Sequence, residues 1–142
     1  FRYRNYLFVG DEVFPALFNL NDRARIESMG QIHVLDVSDV TKPRKVADYF
    51  VPGGAHNVWV TDDVLYIGAY EAGLRALDVS GELRGDLVAQ GREIGAIWTG
   101  DPKGYRPNLP MAWGAQPHRG FIFVTDINSG LWVAKLTPRL AF

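Results

Sequence analysis

"LYIGAYEAGLRALDVSG", residues 65–81, is two apolar runs separated by Glu-Ala-Gly, the second carrying a single Arg and closing on Asp-Val-Ser-Gly. Short runs rich in β-branched and aromatic residues, bounded by Gly and Asp, read as strands. The first run has no charged residue to turn toward water, so its sheet needs cover on both faces. Just upstream, Asp62-Asp63 separates "NVWVT" from "VLYIGAY", a two-residue joint that predicts a hairpin without the usual Gly.

The same phrase recurs. "IHVLDVSD" from Ile32, "LRALDVSG" from Leu74 and "LWVAKLTP" from Leu131 align without gaps, each behind a partner run, "YLFVG", "LYIGAY" or "FIFVTDI". Asp36 and Asp78 are 42 positions apart, the length of one four-stranded propeller blade. The third copy reaches Lys135 after 57, an excess of 57 − 42 = 15, placed in the Pro/Gly-rich "TGDPKGYRPNLP", residues 99–110. Strands are predicted at 6–10, 32–37, 45–51, 57–61, 64–70, 74–79, 111–116, 121–127 and 131–136, with a weaker pair in 87–98. The reading is an all-β chain, a β-propeller segment of about three four-stranded antiparallel blades: a partial blade over 1–51, a blade over 57–98 and a partial blade over 111–142. The first is expected to lack its inner strand and the last its outer one, so that upstream sequence or another chain completes the ring.

Composition bounds the function. The 142 residues are 47% hydrophobic and 22% charged, ordinary for a globular domain. A formal charge of -1 argues against a nucleic-acid footprint. The charge is uneven: residues 62–101 carry eight acids against three bases, and 102–142 five bases against one acid, so the last third favours an acidic partner. With no Cys there is no disulfide, thiolate metal site or thiol nucleophile. No apolar stretch is long enough for a membrane-spanning helix.

"HVLDVSDVTKPRKVADYFVPGGAHNVWVTDDVLYIGAYEAGLRALDVSG" resembles the LVIVD-repeat family, whose repeats carry an apolar strand ending in Asp-Val/Ile-Ser, a Pro-containing turn, a Gly-Ala-His joint and an apolar hairpin. The likeness covers about residues 30–81 well and 111–136 more loosely. Val40 stands where the family often has Pro, and Lys135 replaces the Asp of the third copy. The resemblance implies a β-propeller with no established common reaction, in periplasmic or cell-envelope proteins. In such a fold the run from Leu65 lies between neighbouring blades, and the run from Leu74, nearer a blade edge, can expose Arg75.

The candidate sites are set against plainer readings. Asp36 and Asp78 end strands where a carboxylate accepts from backbone N–H groups two residues on, so they form turns before they catalyse anything. His56 precedes one inner strand and His118 follows the next, which puts them a strand length, about 17 to 20 Å, apart. They cannot share a metal bound at about 2 Å, and each remains a candidate acid/base only for the alternative of a propeller enzyme or ligand-binding propeller. Asp11-Glu12 and Asp62-Asp63 point to opposite faces of extended backbone. "DINSG", 126–130, lacks the closing Glu of a calcium loop and reads as a tight turn. Arg84-Gly85-Asp86 is too short a motif to carry weight. The four Trp are expected in the core, with Trp132, aligned with His33 and Arg75, facing outward as a binding anchor.

The insertions 15–29 and 99–110 exceed hairpin lengths and carry the interaction candidates: Phe14, Leu17 and Phe18 at the first, Tyr105 and Arg106 in the second, beside Trp132. The functional expectation is a non-catalytic scaffold that binds other protein subunits, an accessory subunit of a cell-envelope or membrane-associated complex that meets the membrane only peripherally through a partner, with no cofactor.

Overall fold

A computed structural model describes residues 1–12 and 30–137. Twelve strands run β1 Arg2–Tyr3, β2 Tyr6–Gly10, β3 Gln31–Asp36, β4 Arg44–Phe50, β5 Val58–Thr61, β6 Val64–Gly68, β7 Leu74–Asp78, β8 Gly85–Asp86, β9 Glu93–Ile97, β10 Ala112–His118, β11 Phe121–Asp126 and β12 Gly130–Ala134. They form three sheets, β1-β2-β3-β4-β8, β5-β6-β7-β9 and β10-β11-β12. Every pairing is antiparallel except β4 with β8. None of the sheets closes into a barrel, and the described residues include no helix.

Each sheet opens with a two-residue hairpin. Tyr3 pairs with Tyr6 around Arg4-Asn5, Thr61 with Val64 around Asp62-Asp63, and His118 with Phe121 around Arg119-Gly120. Asp62 (φ 49) and Asp63 (φ 61) are both left-handed, as are Arg119 (φ 48) and Gly120 (φ 79), a geometry whose twist suits the flanking strands. Beside β2 the first sheet carries the two-residue strand β1, extended by Phe1 N, which donates to Phe8 O, and Phe8 N, which donates to Phe1 O, both at 2.8 Å. The weak pair expected in 87–98 is one strand, β9, because the Asp86 carboxylate accepts from the Val88 and Ala89 N–H groups and turns the chain before it.

The middle sheet is covered on both faces. Leu65 and Ile67 of β6 pack with Phe8, Ile32, Val34, Ala47 and Tyr49 of the first sheet, while Tyr66, Leu74 and Ala76 pack with Ala115, Ile122, Val124 and Ala134 of the third. Period-two alternation in β6 therefore feeds two cores, which is why the run carries no polar residue. Approach between the last two sheets is close enough that a Cβ on Gly68 would sit 2.5 Å from the Trp113 backbone. A side chain there would force the sheets apart.

Equivalent positions share register. Ile67 opposes Arg75 in the middle sheet as Val124 opposes Trp132 in the third, 57 residues on, and Phe8 and Val34 of the first oppose one another as Tyr66 and Ala76 do. Arg75 is not exposed at an edge as expected: β9 lies outside β7, and the guanidinium donates to Ala72 O at 2.9 Å and pairs with Glu93 at 3.1 Å.

Candidate functional site

The two ends of the stacked sheets differ. One end carries two-residue hairpins and the turns after β3 and β7, where Asp36 accepts from Ser38 N at 2.9 Å and Asp78 from Ser80 N at 2.8 Å. The Ser38 hydroxyl, then its N–H, holds the Asp36 carboxyl below the usual carboxylate range, and the Ser80 hydroxyl does the same for Asp78. These are the local turns the sequence predicts. The opposite end receives both long connections, 11–30 between β2 and β3 and 98–111 between β9 and β10, and the joint 51–57 that leads into β5. Long loops on a rigid scaffold are where binding residues concentrate, so this end is the first place to look for a site.

His56 lies there, half-buried, with both ring nitrogens engaged. Nε2 is 2.5 Å from the Trp113 indole nitrogen, and Nδ1 is 3.1 Å from the Trp113 carbonyl oxygen. An indole N–H only donates, so Nε2 is the acceptor and Nδ1 carries the proton: the assignment follows from the partners. The rings stand edge to face at 5.0 Å, and the Tyr70 ring crosses His56 likewise at 5.3 Å. The Tyr70 hydroxyl donates to Glu12, whose carboxylate is 3.7 Å from His56 Nε2. Burial, then the neighbouring Glu12, pushes the Tyr70 hydroxyl pKa well above its ordinary value. His56 thus ties the second sheet to the third, and its one lone pair is occupied by an N–H. As it stands it is a structural link rather than a base.

His118 ends β10 at the hairpin end and is exposed, in a cleft of about 360 Å3 with Thr61, Asp62, Arg119 and Phe121. His56 contacts Trp113 near the start of that strand, so the two histidines are separated along β10 and share no site. His33 is elsewhere again, 3.1 Å from Asp48 and 3.7 Å from Asp11. Among the described residues no group of three or more His, Asp or Glu side chains could hold a metal ion.

The interaction candidates are dispersed. Phe14, Leu17 and Phe18 lie outside the described residues. Tyr105 is 79% exposed, and Arg106 beside it is half-buried. Their loop is held by Asn128, which accepts from Arg106 N at 2.5 Å and donates to Arg106 O and Leu109 O at 2.7 Å each. Trp132 is half-buried against the second core and donates to Ser129 Oγ at 2.8 Å, so it is not an outward anchor. The other three Trp reverse the core expectation: Trp59, Trp98 and Trp113 are 43, 55 and 42% exposed.

Two features escaped sequence reasoning. The first is Asp126, whose buried carboxylate accepts from Thr99 Oγ1, Met111 N, Asn128 N and Ser129 N at 2.6 to 2.9 Å and so anchors both ends of the 99–110 insertion. "DINSG" signalled the turn but not the remote partners. The second is the outer face of the third sheet, where Phe123 pairs with Val133 and Thr125 with Leu131. Leu131 is 64% exposed, Val133 57% and Phe121 48%. The repeat alignment held the signal for this face, since Leu131, Val133 and Phe123 match Leu74, Ala76 and Tyr66, and Phe121 matches Val64.

No known protein family, curated protein or solved structure matches the chain. Among the described residues no helix is long and apolar enough to cross a membrane.

Proposed function

We propose that the three sheets are successive blades of a β-propeller of the LVIVD-repeat kind, and that the chain is a non-catalytic scaffold binding another protein subunit through the outer face of its third sheet. One observation carries this reading. Leu131, Val133 and Phe123 stand where the middle sheet has Leu74, Ala76 and Tyr66, and those three are buried against the sheet that follows. The first sheet repeats the rule, with Ile32, Val34 and Phe8 buried against the second. Exposed aliphatic and aromatic groups on one contiguous face mark an interaction surface. By contrast, the outer face of the first sheet carries His33, Asp48 and Lys45, with Lys45 Nζ 2.5 Å from Asp48. The occupied nitrogens of His56 argue against the enzymatic alternative, and the resemblance favours an accessory role in a cell-envelope assembly.

The test is site-specific photo-cross-linking in the native membrane fraction, with the photoreactive residue at Phe121 or Val133 and, as control, at Val40, which is 67% exposed in the turn after β3. Protein adducts from 121 and 133 but not from 40 are expected. Adducts from all three alike, or from 40 alone, would sink the reading.

A further inference from the structure

The side-chain link between the second and third sheets is built so that one proton breaks it. His56 Nε2 accepts from the Trp113 indole N–H at 2.5 Å, while Nδ1 donates to the Trp113 carbonyl oxygen at 3.1 Å. The only place left on the ring for a proton is Nε2, where the indole N–H is directed. An imidazolium donates from both nitrogens and accepts at neither. Once charged, the ring would set two N–H donors against each other at a separation that had held a hydrogen bond.

A carboxylate stands ready for the new donor. Glu12 Oε1 is 3.7 Å from Nε2, where the neutral ring offers it no proton and a charged ring would offer both a proton and an opposite charge. The titratable groups that face His56 among the described residues are Glu12, in the connection after β2, and Tyr70, after β6, whose ring crosses the imidazole at 5.3 Å and whose hydroxyl donates to Glu12. Asp11, beside Glu12, is turned to His33 at 3.7 Å. From β10 the ring meets Trp113, which does not titrate. We infer that His56 is an acid-operated switch: on taking up a proton at Nε2 it drops the Trp113 indole, pairs with Glu12 and leaves the indole free. The exchange is one bond for another and spares the backbone. Asn57 N still donates to Trp113 O at 3.2 Å, and Tyr70 and Ala112 still exchange N–H···O bonds at 2.8 and 3.1 Å, so the sheets stay joined while the side chain is released. Trp113 is 42% exposed even when held, so the freed ring and its unpaired N–H are offered to solvent or to a bound molecule as the pH falls. The inference does not rest on the protein-binding reading above.

The test is an NMR titration of the full chain from about pH 8 to about 5, the span in which an unperturbed imidazole changes charge, following the Trp113 indole N–H and both His56 ring nitrogens. At the alkaline end Nδ1 should carry the proton and Nε2 none. As Nε2 gains its proton, the indole N–H resonance should move upfield along the same curve, with the fold intact. In His56→Gln the amide oxygen can still accept from the indole but cannot titrate, so the indole resonance should stay fixed. Should that variant fail to melt cooperatively, Trp113→Phe serves instead: with no indole bond to break, Nε2 should take up its proton at higher pH. Glu12→Gln leaves the neutral arrangement intact and removes the waiting charge, so the transition should move to lower pH. An indole resonance that stays put while His56 titrates, one that moves equally in His56→Gln, a His56 that remains neutral across the range, or a transition indifferent to Glu12→Gln would overturn the inference.

Discussion

Asp78 shows how a residue that looks catalytic can be accounted for locally. Its carboxylate accepts from Ser80 N at 2.8 Å and lies 3.8 Å from the Arg92 guanidinium, and Asp36 repeats the turn with Ser38 and Arg44. Asp78→Ala should therefore destabilise by on the order of 1 kcal/mol, measured by denaturant unfolding, and leave partner binding intact. Lost binding at unchanged stability would move Asp78 into a site. Both carboxyls are held below their ordinary range when folded, so their contribution to stability is present above the unfolded pKa of about 3.9 and is lost as pH falls through the lower folded value. The melting temperature should accordingly be flat from about pH 7 to 5 and fall below about 4, with a shallower fall in Asp78→Ala. These turns were legible in the sequence because an Asx turn needs only the residues two positions on. Asp126 was not, because its partners Thr99 and Met111 lie 27 and 15 positions away, and no local pattern announces them.

At the scale of elements, β6 carries the clearest expectation. Leu65 and Ile67 are fully buried between the first and second sheets, and replacing either with Asp would place a charge in a dry core. Either variant should lose the native thermal transition. Leu131→Asp is the informative contrast: it occupies the position of Leu74 but is exposed, so it should melt within about 1 kcal/mol of the parent. Similar destabilisation by all three would mean that the third sheet is covered within this chain. The strand pattern, the hairpins and the two-sided burial of the middle sheet could all be read from periodicity and repetition, which depend on neighbours along the chain. The sites of exposure could not, because Trp59, Trp98 and Trp113 have the same apolar character as core residues and only tertiary packing decides which side of the sheet is covered. Trp132, like the aligned Arg75 and His33, is half-buried rather than outward-facing, because it packs against the second core, which its own strand does not reveal.

For the molecule as a whole, three stacked sheets leave Phe121, Leu131 and Val133 exposed on one face and β12 unpaired at its edge among the described residues. Exposed apolar sheet surface of that kind associates or binds hydrophobic dyes. The two-residue hairpins and the turns after β3 and β7 lie at one end of the sheets, and the 98–111 connection and the 51–57 joint at the other. The most direct test of the claim that this face is an interface is to purify residues 1–142 and measure sedimentation together with binding of a fluorescent dye for apolar surface, before and after Leu131→Lys with Val133→Lys. Self-association or strong dye binding by the parent chain, reduced in the double variant without loss of its melting transition, is the predicted result; a compact, cooperatively melting monomer that binds little dye would contradict it.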